Sequence, residues 1–315
     1  MAPLLALLLA MAACGSDKHE NASPPKTTQT TAKANGPFAI GVRTVTFIDR
    51  SRPNNRKDTQ PGAPRRTIVT NIWYPAEGPA GPNETPDAKP AAGRFPLVLL
   101  SHGRTAEPQQ YAASLRLWAR AGYVVAGLRH PLTSRLSPYG SDTEDIQNQP
   151  ADLSFVITRM RAEFPKQVDG DHVAVVGHSS GAITALAAGF NTCCDDDRID
   201  AVVLESTIAA PFTGGKYFDD LPHTPVLFFH GDADPTFPYA AGHAVYEQAH
   251  SPKFFVTING GTHSNPYRDG PPDFHLVAQA SLDFFDRYLK NEKDGLDRLQ
   301  RDVAGFPFGK LEAVP

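Results

Sequence analysis

The chain has 315 residues, with 30 Lys and Arg against 34 Asp and Glu, a net charge of −4. That balance excludes a strongly basic nucleic-acid binder, and 41% hydrophobic residues exclude wholesale disorder. Three cysteines build neither a disulfide scaffold nor a four-thiolate zinc site, and no apolar run reaches the ~20 residues of a membrane-spanning helix.

Residues Pro3 to Ala13 form a short apolar run that ends Met11-Ala12-Ala13-Cys14. Small residues followed by Cys resemble the bacterial lipoprotein signal. The resemblance implies a lipid on Cys14, attachment to a membrane through it, and a place in the bacterial cell envelope. No Lys or Arg precedes Cys14, so the charged n-region of such signals is missing, and a plain secretory signal is the fallback. Residues 15–36 hold no Leu, Ile, Val or aromatic side chain and cannot bury enough surface to order themselves. The expected organisation is a signal segment 1–13, a disordered tether 14–36 and one folded domain 37–315.

From Phe38 onward, strands and helices alternate. Val42 to Ile48 and Ile68 to Tyr74 read as early strands, separated by a polar, Pro-rich loop. Pro96 to Leu100 is a continuous apolar run, as in a strand buried on both faces. Further strands are predicted over Tyr123 to Leu128, His172 to Val176, Ala201 to Leu204, Val226 to Phe229 and Phe254 to Ile258. Helices are predicted over Gln110 to Ala121, Ala151 to Phe164, Ser180 to Phe190, Tyr239 to Ala249 and Phe274 to Leu289. The alternation predicts an α/β fold: a mostly parallel twisted sheet of about eight strands with helices on both faces. Chemistry in such sheets sits just past the carboxyl ends of the strands.

Four post-strand segments carry chemistry. Gly177-His178-Ser179-Ser180-Gly181 is a G-x-S-x-G turn between a predicted strand and a predicted helix. That context exposes the Ser179 hydroxyl on a tight turn, with helix N-terminal amides beside it. Ser101-His102-Gly103-Arg104 follows an earlier strand. The amides of Arg104 and Ser180 are the candidate donors to an oxyanion, and His102 is expected to order its loop. His230-Gly231-Asp232-Ala233-Asp234 offers two carboxylates. Asp234 is favoured as the acid, Asp232 suits a turn-fixing role, and Glu205 after the preceding strand is the third candidate. Asn259-Gly260-Gly261-Thr262-His263 places a histidine on a flexible loop after a late strand, completing the order Ser, Asp, His. An imidazole titrates close to neutral pH, so His263 suits a general base that takes the Ser179 proton and returns it. His178 is expected to point away from Ser179, and His243 and His275 to lie on the surface.

Together with Ile72-Trp73-Tyr74-Pro75, these motifs resemble the α/β-hydrolase superfamily over about residues 38–290. Among its members the chain is similar to bacterial esterases related to platelet-activating-factor acetylhydrolase, dienelactone hydrolase and the cutinases. The resemblance implies carboxylic-ester hydrolysis through an acyl-enzyme on Ser179, with His263 as base and Asp234 as orienting acid. The acetylhydrolase pattern points instead to Glu205 as the acid. Dienelactone hydrolases use a Cys nucleophile where this chain has Ser179, so their ring-opening reaction is not carried over. No cofactor and no metal are implied. Other chemistry on the same fold would be a peptidase or amidase, and a non-catalytic tethered binding protein is the remaining alternative.

About twenty residues separate the strands at 201–204 and 226–229, which leaves no room for a large lid. An open site suits short-to-medium acyl esters, or esters on an exposed polymer or lipid surface. Thr207, Ile208, Phe212, Phe237 and the loop 131–150, with Leu132, Leu136 and Tyr139, are the expected lining. Adjacent Cys193 and Cys194 permit either a vicinal disulfide or two free thiols. Asp195-Asp196-Asp197 reads as a solvated loop, with calcium binding as an alternative.

Overall fold

An apolar run without polar alternation is stable as a strand only where helices cover both faces of its sheet. In the computed structural model, which describes residues 37–54, 63, 65–138, 140–268 and 272–315, the predicted strands find that environment. Strands β1 (Ala39–Asp49), β2 (Arg66–Ala76), β3 (Glu84–Pro86), β4 (Phe95–Ser101), β5 (Val124–Arg129), β6 (Val168–His178), β7 (Ala201–Glu205), β8 (Val226–Gly231), β9 (Lys253–Ile258) and β10 (Gly309–Val314) form one sheet. Its order is β10-β9-β8-β7-β6-β4-β5-β2-β1-β3. The block β5-β4-β6-β7-β8-β9 is parallel. β1, β2 and β5 pair antiparallel, as do β9 and β10.

Side chains alternate across this sheet. Leu97 and Leu99 of β4 enter one core with α2 (Gln149–Glu163), α3 (Ser180–Phe190) and α4 (Tyr239–Gln248). Val98 and Leu100 enter the other with α1 (Ala112–Arg120), α5 (Pro272–Leu289) and α6 (Gly295–Gly305). Both faces are dry at β4, where Leu97, Val98 and Leu99 are all fully buried. This explains why that segment reads as an unbroken apolar run.

The sheet has ten strands rather than about eight. The additional ones are the three-residue β3 and the C-terminal β10, and α6 also lies beyond the last predicted element. β10 is an edge strand with Lys310, Ala313 and Val314 exposed and Glu312 half-buried, so its alternation is too weak to read as a strand. The signal segment 1–13, Cys14 and the tether through residue 36 lie outside the described residues, as does Tyr139. Among the described residues, no helix is long and apolar enough to cross a membrane.

A charged cluster lies under the α2 face. Arg66 is fully buried and makes paired hydrogen bonds to Asp145 at 2.7 and 2.8 Å. It also binds Asp152 through Nη2 at 2.7 Å, and Arg52 reaches the same carboxylate at 2.9 Å. From sequence, Arg66 belongs to a polar loop and carries no sign of burial.

Candidate active site

At the end of β6 the chain must reverse sharply into α3. Ser179 takes φ 56° and ψ −123°, a conformation costly for any side chain but Gly. The flanking glycines make the turn possible by close approach. A Cβ on Gly177 would lie 2.1 Å from the Gly181 carbonyl oxygen, and one on Gly181 would lie 2.0 Å from that of Ser101. Only hydrogen fits at either place. The result lifts the Ser179 side chain above the carboxyl ends of the strands.

There the hydroxyl meets His263, with Oγ 2.8 Å from Nε2. On the other side of the ring, Nδ1–H donates to Asp234 Oδ2 at 2.8 Å. The second Asp234 oxygen accepts from the Thr236 and Phe237 amides at 2.7 and 2.9 Å. Burial pushes the Asp234 pKa up. The hydrogen bonds from Ser206, His263 and the two amides outweigh this and hold it below the ordinary aspartate value. Asp234 therefore stays ionised and fixes the ring with Nε2 free to accept from Ser179.

The competing acids are placed elsewhere. Asp232 is exposed and accepts from the Gly260 amide at 2.6 Å, pinning the loop that carries His263. Glu205 lies buried beneath the site, with Oε2 unpartnered among the described residues; burial raises its pKa well above the usual carboxylate range.

Gly103 lies against the serine: a Cβ there would be 3.3 Å from Ser179 Cβ. Arg104 follows in the same loop, and its residue lines the pocket beside Ser180. The next amide, Thr105, is tied to the Thr133 carbonyl at 2.7 Å, with Thr105 at φ 58°. The amides of Arg104 and Ser180 have no backbone partner among the described residues. His102 anchors this loop. Its Nδ1–H donates to the Gly103 carbonyl at 2.8 Å, and its Nε2 accepts from the His130 amide at 3.1 Å. Burial, with the neighbouring His130, lowers its pKa to about 3, so it is neutral, as that bonding pattern requires.

His178 lines the same pocket as Ser179, and its ring is held at both nitrogens. Its Nε2–H donates to the His263 carbonyl at 2.7 Å, and its Nδ1 accepts from the Tyr111 hydroxyl at 2.8 Å. The same hydroxyl accepts from the Gly103 amide at 3.3 Å. One chain of hydrogen bonds thus joins the Gly103 loop to the His263 loop. Burial lowers the His178 pKa to about 3, which keeps the ring neutral and able to accept from Tyr111. The elbow motif drew attention to Ser179 and hid the bracing role of its neighbour.

Ser206, which the sequence reading passed over in favour of Glu205, is fully buried at φ 56°. Its hydroxyl donates to Asp234 Oδ2 and lies 3.2 Å from His263 Nδ1. Its only sequence signal is its place just after β7. Removing a hydrogen bond to a charged group costs about 1.5–3 kcal/mol. Ser206→Ala is therefore expected to lower kcat about 10- to 100-fold with KM little changed. Steady-state kinetics on a chromogenic ester would check it, and wild-type kcat in the variant would remove Ser206 from the site's support.

A second Ser–His–Asp chain lies deeper. His130 Nε2 is 2.8 Å from Ser101 Oγ, and His130 Nδ1 is 3.2 Å from Asp152 Oδ2. All three residues are fully buried, so the arrangement meets no substrate. Instead it ties the end of β4, one residue before His102, to the Arg66 cluster.

The pocket over Ser179 has a volume of about 370 Å³ and lies open on one side. Its apolar wall is Ile146, Ile183 and Phe237. Of the expected lining, Phe237 and the 131–150 loop are found there. Ile208 and Phe212 pack with Ile183 in a cluster alongside, and Thr207 is buried. Leu132 is fully buried while Leu136 is 55% exposed. The loop after β5 turns back through an Asp142-to-Leu132 backbone bond. This presents Thr143 and Ile146 to the pocket in place of the leucines.

His275 is exposed, while His243 is half-buried and faces Glu312. Cys193 and Cys194 form a disulfide. Asp196 is paired with Arg198, and among the described residues no group of three or more His, Cys, Asp or Glu side chains is placed to hold a metal ion.

Residues 84–206 match the family described as chlorophyllase, a span that includes Ser179 but neither Asp234 nor His263. No curated protein matches the chain. Among solved structures, the chain is similar to a ferulic acid esterase from Streptomyces cinnamoneus, with a TM-score of 0.68 at 21% identity, covering 89% of this chain and 98% of that one. The chain has the α/β-hydrolase fold.

Proposed function

We propose that this α/β-hydrolase-fold protein is a serine carboxylic-ester hydrolase. The observation that carries the reading is the unbroken line from Asp234 through His263 to the Ser179 hydroxyl at the floor of an open pocket. A serine hydroxyl is a weak nucleophile at neutral pH until a positioned base removes its proton. Ser179 Oγ attacks the ester carbonyl as its proton passes to His263 Nε2. The tetrahedral oxyanion is received by the Arg104 and Ser180 amides, each contributing roughly 3–4 kcal/mol. His263 then gives the proton to the departing alkoxide, which leaves as the alcohol, and the acyl group remains on Ser179. Water, deprotonated by His263, attacks the acyl carbon. The acid is released and Ser179 recovers its proton. Asp234 stabilises the imidazolium formed in both halves.

The family and structural resemblances support ester rather than amide substrates. The pocket is open and has only a short apolar wall, which suits short-to-medium acyl groups or esters presented on a surface. An acyl series of p-nitrophenyl esters, run beside matched p-nitroanilides, tests the reading. Turnover of acetate and butyrate esters is expected, with anilides far slower and a fluorophosphonate probe attached at Ser179. An intact Ser179 after probe treatment, or anilides cleaved faster than esters, would overturn it.

A further inference from the structure

Two cations face the pocket. Arg104 and Arg268 line it together with Ser179 and His263, and no carboxylate among the described residues belongs to the lining. Neither guanidinium has an ion pair among the described residues. Arg104 is exposed, at the mouth. Arg268 is half-buried, close enough for its charge to act on Tyr111, and its Nε is a buried donor with no partner among the described residues. Burial raises the pKa of Glu205, which faces the same Tyr111, well above its ordinary value and so favours its neutral form. Asp234 lies behind His263, and its oxygens are already taken.

A buried guanidinium N–H without an acceptor is costly, and its natural complement is a planar oxyanion that accepts two hydrogen bonds at once. The neighbouring lining is polar: Thr133 and Thr143 carry hydroxyls there, while the Thr105 hydroxyl donates to the Arg104 carbonyl at 2.7 Å. The apolar wall of Ile146, Ile183 and Phe237 leaves room for a short alkyl or aryl spacer.

We propose that the pocket selects esters carrying a second, ionised oxyanion group, a carboxylate or a phosphate, held by Arg268 and Arg104 while Ser179 reaches the ester carbonyl. This rests on the reading of Ser179 as nucleophile. The substrate class is then the monoester of a short dicarboxylic acid or an acyl ester of a small phosphorylated alcohol, instead of a wholly neutral ester.

The test compares p-nitrophenyl hemiglutarate with p-nitrophenyl pentanoate, in which a methyl group replaces the carboxylate. A second arm compares dibutanoylglycerol phosphate with tributanoylglycerol by released butanoate. In at least one arm kcat/KM for the anionic ester is expected to exceed the neutral one by about tenfold or more at low salt. The preferred arm identifies the oxyanion, and added NaCl narrows the gap. Arg268→Gln is expected to bring the ratio towards one, and Arg268→Lys to restore part of it. Ratios at or below one in both arms would overturn the proposal while leaving ester hydrolysis standing. Should no ester be turned over, glutarate and inorganic phosphate are titrated calorimetrically into the full chain. Binding lost in Arg268→Gln and regained in Arg268→Lys supports the site; absence of binding by both anions refutes it.

Discussion

Ser179→Ala is expected to lower kcat on p-nitrophenyl butyrate by about 10⁴- to 10⁶-fold and to abolish fluorophosphonate labelling. The size follows from the arrangement of the groups. Without the hydroxyl, His263 and Asp234 keep their positions but have no nucleophile to activate. What remains is the amide pair and the pocket, which assist direct attack by water only modestly. Asp234→Asn should act through the same unit, because an amide cannot hold the imidazolium that forms. Combining the two substitutions is expected to cost little more than Ser179→Ala alone, since residues that work as a unit are not additive. The measurement is single-turnover and steady-state kinetics on the three variants. A Ser179→Ala loss of less than tenfold would place the nucleophile elsewhere.

Arg66→Met is expected to destabilise the fold by about 3–5 kcal/mol, read as a lower urea midpoint with an unchanged slope. Arg66, Asp145 and Asp152 are all buried, and the guanidinium meets both carboxylates. Its removal leaves two carboxylates away from water, with Arg52 and His130 still reaching Asp152 and only the neutral Asn148 amide donating to Asp145 among the described residues. The loss should depend on pH. Burial raises the Asp152 pKa, but the Arg66 charge and the His130 and Arg66 hydrogen bonds outweigh it, so the folded value lies well below the unfolded 3.8. In the wild type, Asp152 therefore contributes stability that is present above pH ~4 and lost as pH falls below it. In the variant, burial is no longer outweighed, the folded pKa rises, and ionising Asp152 becomes a cost. The stability gap between the two proteins should therefore widen from pH 3.5 to pH 7. A difference below about 1 kcal/mol, or one that does not change with pH, would show that water or backbone rearrangement replaces the guanidinium. Activity should also fall, because Asp152 braces His130 and Ser101, and Ser101 leads directly into the His102–Arg104 loop.

The parallel core of the sheet was legible because burial on both faces demands continuous apolar strands, as in Phe95–Ser101 and Val226–Gly231. The edges were not. β10 needs no apolar run where it meets solvent, and β3 is three residues long. α6 carries Leu296, Leu299 and Val303 at helical spacing, a readable signal in a segment where no element was predicted. In the site, Ser179, Asp234 and His263 could be found because each follows a strand whose carboxyl end the fold presents at one rim. Ser206 follows a strand too, but a lone serine carries little information until its carboxylate partner is in place. Ile146 sits on the short 3-10 helix Thr143–Asn148 and Arg268 just after another, Asn265–Tyr267, both too short for a periodicity to say which side chain faces inward. Arg66 reads as a solvated loop residue because what makes its burial tolerable lies 79 and 86 residues further along the chain.

Sequence by itself determined the layered α/β scaffold, the tight turn that exposes Ser179, and the set of post-strand residues from which a site could be built. These follow from local rules: apolar periodicity, and glycines where a Cβ cannot fit. Only the tertiary structure decided that Asp234, and not Glu205 or Asp232, meets His263. It alone brought Ser206, His178 and Tyr111 into support, and it alone set Arg104 and Arg268 in the lining of the pocket, with no ion pair among the described residues. A hydrogen bond depends on tenths of an ångström and on charge balance across elements far apart in the chain, and a linear pattern of residue types carries neither.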